Sequence, residues 1–134
     1  MKPFKDTPVQ DLMMRDVLTV SPSTSLLSAG QTMLKHEITC LIVDLNDPTR
    51  GLGIVTQKDV IGHLFDDIIE VNGATVEDVM THPTIVLSPD WSLETAVSLM
   101  RMMGVRRAPV VEAAKLVGLL SFTDVFRHAL LAQT

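Results

Sequence analysis

The stretch that decides the fold is Val9-Gln10-Asp11-Leu12-Met13, because it reappears 67 residues later as Val76-Glu77-Asp78-Val79-Met80. Further identities keep this offset, which becomes 65 after a two-residue shortening. They pair Ser21-Pro22 with Ser88-Pro89, Ser25-Leu26 with Ser92-Leu93, Ala29, Met33 and Val43 with Ala96, Met100 and Val110, and Gly53, Asp59, Val60 and His63 with Gly118, Asp124, Val125 and His128. Two long copies do not suggest a solenoid, which needs three or more units. The sequence predicts two similar halves packed around a pseudo-two-fold axis.

Each half shows the order strand, helix, strand, strand, helix, an α/β pattern with one hairpin per half. In the first half we predict a strand at Thr19-Val20, a helix from Ser25 with Leu26, Ala29, Gly30, Met33 and Leu34 on one face, strands at residues 40–43 and 52–55, and a helix from Thr56 with Val60, Ile61, Leu64, Phe65 and Ile68 on one face. In the second half we predict strands at Ile85-Val86-Leu87, 108–111 and 116–120, and helices from Ser92 and Ser121, with Asn72-Gly73 at the join.

The composition restricts the class of protein. The chain has 134 residues, a net charge of −5 and 46% hydrophobic residues, which excludes intrinsic disorder. The acidic balance argues against nucleic acid as the main partner. No apolar run approaches the roughly 20 residues of a membrane span or the length of a signal peptide, so we expect a soluble, cytoplasmic protein. With Cys40 as its single cysteine, the chain can form no internal disulfide.

Two segments at equivalent positions carry the candidate chemistry: Gly53-Ile54-Val55-Thr56-Gln57-Lys58-Asp59 and Gly118-Leu119-Leu120-Ser121-Phe122-Thr123-Asp124. Both read Gly, two apolar residues, Thr or Ser, two further residues and Asp, at a predicted strand-to-helix junction. A helix N-terminus offers free N–H groups and a positive dipole end, which favour a phosphate. An ionised Asp could accept from both hydroxyls of a ribose diol. The alternative is structural, because Ser/Thr-x-x-Asp also resembles a capping box.

The duplicated pattern resembles a pair of CBS domains, the tandem regulatory module named after cystathionine β-synthase. The resemblance rests on the repeated Val-x-Asp-x-Met segments, the Ser-Pro steps, Val105-Arg106-Arg107-Ala108-Pro109-Val110-Val111 and the two motifs. It implies two βαββα units, at residues 8–68 and 75–132, with residues 1–7 as an N-terminal tail too short for an effector domain. It also implies two clefts between the units that bind AMP, ADP, ATP or S-adenosylmethionine as regulatory ligands, with no required cofactor.

The resemblance implies which residues line each cleft. In the first cleft Ser121 would lie near phosphate, Asp124 would hold the ribose, and Arg106 and Arg107 would lie at the phosphate end. The remaining residues of that cleft would be Leu119 against the base, Thr123, and from the first unit Met13, Leu18, Thr39 and Cys40. The second cleft would use Ile54, Thr56, Lys58 and Asp59, completed by Met80, Ile85 and Val105 from the second unit.

The two clefts are expected to differ, because Thr39-Cys40-Leu41-Ile42 stands where the second half has Arg106-Arg107-Ala108-Pro109. We therefore expect charged phosphates in the first cleft and expect one cleft to bind more weakly or to stay empty. Adjacent strand residues face opposite sides, so only one arginine can point inward unless the strand begins after both. The alternative is that both arginines are surface charges, and Cys40 is expected to be a small core or cleft-lining residue.

The sequence shows no catalytic nucleophile with a base, no Walker loop and no cluster of metal ligands, so we predict a non-enzyme. His63 and His128 occupy equivalent helix positions; a metal site across an oligomer axis is one interpretation, and imidazoles on an exposed or interface face are the preferred one. We predict a nucleotide-sensing module that forms a homodimer through the helices after Thr56 and Ser121 and signals through a protein partner or a change in assembly. The alternatives are a ligand-free interaction module and a sensor of a metal or another nucleotide.

Overall fold

The computed structural model describes residues 3–66 and 73–133, which fall into two compact units. The N-unit is Leu18–Thr84, and the C-unit combines Met1–Val17 with Ile85–Thr134. These units do not follow the sequence repeats. Residues 3–8 and the Val-x-Asp-x-Met segment that follows them pack in the C-unit. The second copy of that segment packs in the N-unit.

The elements of the N-unit among the described residues are β1 (Thr19–Val20), α1 (Leu26–His36), β2 (Cys40–Asp44), β3 (Leu52–Thr56), α2 (Gln57–Leu64) and α3 (Val76–Val79). The sheet order is β1-β2-β3, with β1 parallel and β3 antiparallel to β2. In the β2–β3 loop, hydrogen bonds from the Thr49 hydroxyl and amide lower the pKa of Asp47 from its ordinary value of 3.8.

The C-unit begins with two short 3-10 helices, Phe4–Asp6 and Val9–Asp11, the first of which contacts α4. Its other elements are α4 (Leu93–Met103), β4 (Arg107–Glu112), β5 (Lys115–Ser121) and α5 (Phe122–Leu131). Strands β4 and β5 form an antiparallel pair with a register shift between Val110 and Val111. Residues 4–6 of the expected tail are therefore a packed part of this unit.

The strand predicted at Ile85-Val86-Leu87 does not form; only Leu87 makes an isolated parallel bridge, to Val110. The reason lies in the facing strand. In the N-unit, the Ile42 amide donates to the Leu18 carbonyl beside β1 at 3.2 Å. The repeat position of Ile42 is Pro109, which has no N–H to donate. The first hydrogen bond of the corresponding strand pairing in the C-unit therefore cannot form.

Matching caps place the two longest helices. Ser25 accepts from the Ser28 amide at 3.0 Å and Ser92 accepts from the Thr95 amide at 3.2 Å, so α1 and α4 begin at equivalent serines. Both helices end at a left-handed residue, Glu37 or Gly104. Their buried faces repeat every three to four residues: Leu26, Ala29 and Met33 in α1, and Leu93, Ala96 and Met100 in α4. Leu34 was expected on the α1 face but is 82% exposed.

Helices α2 and α5 leave several large apolar side chains exposed. In α2 only Val60 of the predicted face packs against the core, while Ile61, Leu64 and Phe65 are exposed. The helix ends at Leu64, and the predictions for Ile68 and Asn72 lie outside the described residues. Within residues 3–66 and 73–133, none of the helices has the length and apolar character needed to cross a bilayer.

Candidate functional site

Each repeated motif lies where a strand turns into a helix, as predicted. Thr56 ends β3 and caps α2, and Ser121 ends β5 and caps α5. Directly paired strand residues share a face of a sheet, and neighbours along a strand alternate between faces. The pairing registers therefore decide which side chains accompany each motif hydroxyl.

In the C-unit the motif face places a cation beside two buried apolar residues. Arg107 pairs with Ser121, and Pro109 pairs with Leu119, so these four side chains share one face. The opposite face carries Ala108, Val110 and Leu120, which belong to the buried core. Arg107 is half-buried, and no described residue forms an ion pair or side-chain hydrogen bond with it. A guanidinium in this state can bind an anion beside the Ser121 hydroxyl.

Arg106 has a different role. It precedes β4, its side chain is exposed, and its carbonyl accepts from the Phe122 amide at 2.8 Å. Of the two arginines expected at the phosphate end, Arg107 is the one in register with the motif hydroxyl.

The N-unit repeats this geometry with neutral residues. Cys40 pairs with Thr56 and Ile42 pairs with Ile54, while Leu41, Val43 and Val55 face the core. Cys40 is buried, as expected for a small core or lining residue. The N-unit motif face therefore lacks the strand cation that stands at the repeat-equivalent position in the C-unit.

Both motif aspartates take part in helix capping. Asp59 Oδ2 accepts from the Thr56 amide at 2.8 Å and from the Thr56 hydroxyl at 2.9 Å, and the Asp59 amide donates back to that hydroxyl at 3.2 Å. Asp124 Oδ2 accepts from the Ser121 hydroxyl at 2.9 Å, and the Asp124 amide donates to it at 3.2 Å. These hydrogen bonds are the ones that the capping-box alternative predicts. They leave the Oδ1 atom of each carboxylate outside the cap.

The helix N-termini offer fewer donors than the sequence suggested. The first amide of α5, Phe122, donates to the Arg106 carbonyl, and the first amide of α2, Gln57, donates to the Thr39 carbonyl, both at 2.8 Å. The third amide of each helix, that of Asp124 or Asp59, bonds the capping hydroxyl. The chain itself uses two of the first three N–H groups of each helix, which leaves fewer free donors for a phosphate.

Each motif glycine contacts the methionine of the Val-x-Asp-x-Met segment that packs in the same unit. A Cβ on Gly118 would lie 2.8 Å from Met13 Cγ and 3.0 Å from the Met14 carbonyl oxygen, and one on Gly53 would lie 2.9 Å from Met80 Sδ. Met14 and Leu119 exchange backbone hydrogen bonds, as do Thr81 and Ile54. Our sequence analysis missed this support of the motif strands. The signal was present, because both motifs begin with Gly and both Val-x-Asp-x-Met segments end in Met.

The remaining expected site residues lie as follows. Met13 comes from the first half of the sequence but packs in the C-unit, while Met80 packs in the N-unit. Lys58 and Thr123 are exposed at the second position of α2 and α5. Leu18 and Thr39 lie exposed in the N-unit, and Ile85 and Val105 lie half-buried in the C-unit.

The two histidines differ from expectation. His63 is only 6% exposed, and its Nε2 has no hydrogen-bond partner among the described residues. His128 is half-buried, with Nε2 3.5 Å from the Thr7 hydroxyl. The repeat position of Thr7 is Ala74, so the N-unit has no hydroxyl there to offer His63. The preferred surface or interface interpretation is thus wrong for His63. In the described part of the chain no three His, Cys, Asp or Glu side chains gather as a metal site.

Comparison with known proteins identifies the family. Residues 9–66 and 76–131 each match the CBS domain, so the chain belongs to the CBS domain family and carries two such domains in tandem. Uncharacterized protein MK0525 from Methanopyrus kandleri is 27% identical over 125 residues, which is 92% of this chain and 63% of that protein. The chain spans 42% and 23% of the lengths of two further curated relatives.

Two solved structures carry ligands. CBSX2 in complex with AMP is 32% identical with a TM-score of 0.77, and the match covers 95% of this chain and 98% of that chain. The CBS domain pair of protein MJ0100, in complex with 5′-methylthioadenosine and S-adenosyl-L-methionine, is 25% identical with a TM-score of 0.80, covering 96% and 98%. Both of these similar proteins bind adenosine-containing molecules.

Proposed function

We propose that this chain is a regulatory module that binds an adenosine-containing ligand, AMP, ADP, ATP or S-adenosylmethionine, and signals through a partner protein or a change in assembly. The observation that carries the proposal is the C-unit motif face. It brings together the Ser121 hydroxyl and a half-buried Arg107 that forms no ion pair with any described residue, with the apolar Leu119 and Pro109 beside them. The Arg107 guanidinium can donate to a phosphate while the Ser121 hydroxyl keeps its bond to Asp124 Oδ2, and the apolar pair can contact a base. The ligands of CBSX2 and MJ0100 support the same class of molecule.

The role of Asp124 separates this function from the ligand-free alternative. A ribose can bond Asp124 Oδ1 without breaking the bond from Ser121 to Oδ2. A carboxylate that only capped α5 would contribute about 1 kcal/mol to stability and nothing to binding. A matched control exists in α3, where Asp78 accepts from the Thr75 amide at 2.8 Å outside either motif.

The test is a thermal-shift titration of the full chain with AMP, ADP, ATP and S-adenosylmethionine. A ligand at roughly 100 times its Kd adds about 2.7 kcal/mol to the free energy of unfolding. For a chain of this size the Tm should rise by about 3–10 °C. We expect the rise in the wild type and in Asp78→Asn and its loss in Asp124→Asn. No rise with any of the four at millimolar concentration would favour the ligand-free interaction module.

The assembly we propose is a homodimer formed through α2 and α5. In α5 none of the residues is buried, and Phe126 is 67% exposed together with Leu130 and Leu131. In α2, Ile61, Leu64 and Phe65 are exposed. Exposed apolar side chains this dense commonly mark an interface, and a second copy offers the same apolar faces in return.

Sedimentation velocity at tens of micromolar tests the dimer. We expect the wild type to sediment as a dimer and Phe126→Asp as a monomer, because a carboxylate would then be buried without a partner. Val86→Asp is the matched control, since it places the same charge on an exposed apolar residue outside the helices. A monomeric wild type would contradict the proposal.

A further inference from the structure

The two motif faces differ in charge at one register position. Arg107 stands opposite Ser121, whereas Cys40 stands opposite Thr56. Arg107 makes no ion pair with any described residue, although Asp124 belongs to the same motif. A phosphate on the C-unit face would meet a permanent cation, whereas the same register position on the N-unit face holds a cysteine.

The two aspartates also differ in how far the cap occupies them. Asp59 Oδ2 accepts two hydrogen bonds, from the amide and the hydroxyl of Thr56, which use both of its lone pairs. Asp124 Oδ2 accepts only from the Ser121 hydroxyl, and the Ser121 amide does not bond it. Its Oδ1 lies 3.5 Å from Arg127 Nη1. The repeat position of Arg127 is Gly62, so α2 has no side chain at that position to pair with Asp59.

A ribose diol needs an acceptor for each hydroxyl. Asp124 can offer one lone pair on Oδ2 and the lone pairs of Oδ1, since its pair with Arg127 is solvent-exposed and weak. Asp59 can offer Oδ1 alone unless its capping box opens, and that box fixes the start of α2. A diol at the N-unit would therefore have to bond both hydroxyls to the single oxygen Oδ1 or open the cap, and the cation of that motif, Lys58, is exposed on α2 rather than half-buried on a strand.

We infer that the two repeats have divided their roles: the C-unit motif is the single nucleotide site of each chain, and the N-unit motif is a structural helix cap. This inference rests on the proposed function, and it assigns that function to one motif. Arg107 is the residue that sets the preference for a phosphorylated ligand, and Arg127 is a positioning residue for Asp124.

Isothermal titration calorimetry of the full chain with AMP tests the division. We expect one AMP per chain, and Arg107→Cys, which copies the N-unit residue, should weaken binding about 10- to 100-fold through loss of charge-assisted hydrogen bonds. Arg107→Lys keeps the charge and should recover part of the affinity. Arg101→Cys removes an exposed arginine of α4 and should bind AMP as the wild type does. Asp59→Asn should lower the Tm and change AMP affinity by less than about twofold.

The failures of the two proposals can be told apart. Two AMP molecules per chain, loss of binding in Asp59→Asn, or equal affinities of Arg107→Cys and Arg101→Cys would overturn the division of roles and leave the proposed function standing. If AMP, ADP, ATP and S-adenosylmethionine all fail to bind the wild type, the proposed function fails, and the division of roles fails with it.

Discussion

Deletion of residues 1–14 is expected to unfold the C-unit, although this segment lies more than 70 residues before β4. Val9 is fully buried and Met13 nearly so, in one core with Leu93, Ala96 and Met100. Burying such a side chain contributes about 1.5–3 kcal/mol, and the cavity left behind adds to the cost. A domain has about 5–15 kcal/mol of stability in all, so the loss of two such residues consumes much of it.

The backbone adds to this effect. The Val9 amide donates to the Trp91 carbonyl at 2.8 Å, the Leu93 amide donates to the Thr7 carbonyl at 2.9 Å, and Met14 exchanges two hydrogen bonds with Leu119. Deletion would leave their buried partners without bonds, which costs about 1–3 kcal/mol each.

Urea unfolding followed by Trp91 fluorescence measures the loss, because Trp91 is the only tryptophan and belongs to the C-unit. We expect the deletion variant to show no cooperative transition in the Trp91 signal. A synthetic peptide of residues 1–17 added in trans should restore one. Met13→Ala, with an expected cost of about 2–5 kcal/mol, tests the same packing in the intact chain. An unchanged midpoint in the deletion variant would show that the segment is not part of the core.

Gly118→Ala is expected to be the most destabilising single-methyl addition in the chain. The new Cβ would lie 2.8 Å from Met13 Cγ and 3.0 Å from the Met14 carbonyl oxygen, and it would also collide with Met13 Sδ. Because Met14 is bonded to Leu119, the backbone oxygen cannot retreat without breaking that bridge. Overpacking of this kind costs about 1–3 kcal/mol and sometimes more.

Chemical denaturation of four variants tests whether the contact between position 118 and Met13 causes the loss of stability. Gly118→Ala should lower the free energy of unfolding, and Met13→Ala combined with it should cost less than the sum of the two single changes. Gly62→Ala is the control, since a Cβ there meets nothing within 4 Å and should stabilise α2 by about 0.5–1 kcal/mol. Additive costs for Gly118→Ala and Met13→Ala would show that the contact between them is not the source of the effect.

The elements set by local signals could be predicted from the sequence. Ser25 and Ser92 fixed the starts of α1 and α4, and the apolar runs in 40–43 and 116–120 became strands, because capping and periodicity act within a few residues. The strand at Ile85-Val86-Leu87 failed because its pairing depends on a donor at position 109, where proline stands. That dependence joins positions more than 20 residues apart and leaves no local pattern.

The candidate site could likewise be predicted only where it depends on residues close together in the sequence. The junction of strand and helix at Thr56 and Ser121 followed from sequence, since the hydroxyl and the carboxylate are neighbours within one turn. The choice of Arg107 over Arg106 did not follow, because it depends on where β4 begins and on its register against β5. The hydrogen bonds of the Phe122 and Gln57 amides could not be predicted either, because their acceptors are carbonyls of the residues just before β4 and β2, which are distant in sequence.

The packing of an early segment of the chain with a late one determines which unit can fold first during synthesis. Since Met1–Val17 packs with Ile85–Thr134, the N-unit is in effect a domain inserted into the C-unit. All residues of the N-unit have left the ribosome once residue 84 emerges, so it can fold while the rest is still being made. Val9 and Met13 are synthesised before α4 and β5, and they can be buried only when those elements form the C-unit core with them. Of the buried core residues of the C-unit, the earliest made are therefore the ones exposed longest in the nascent chain.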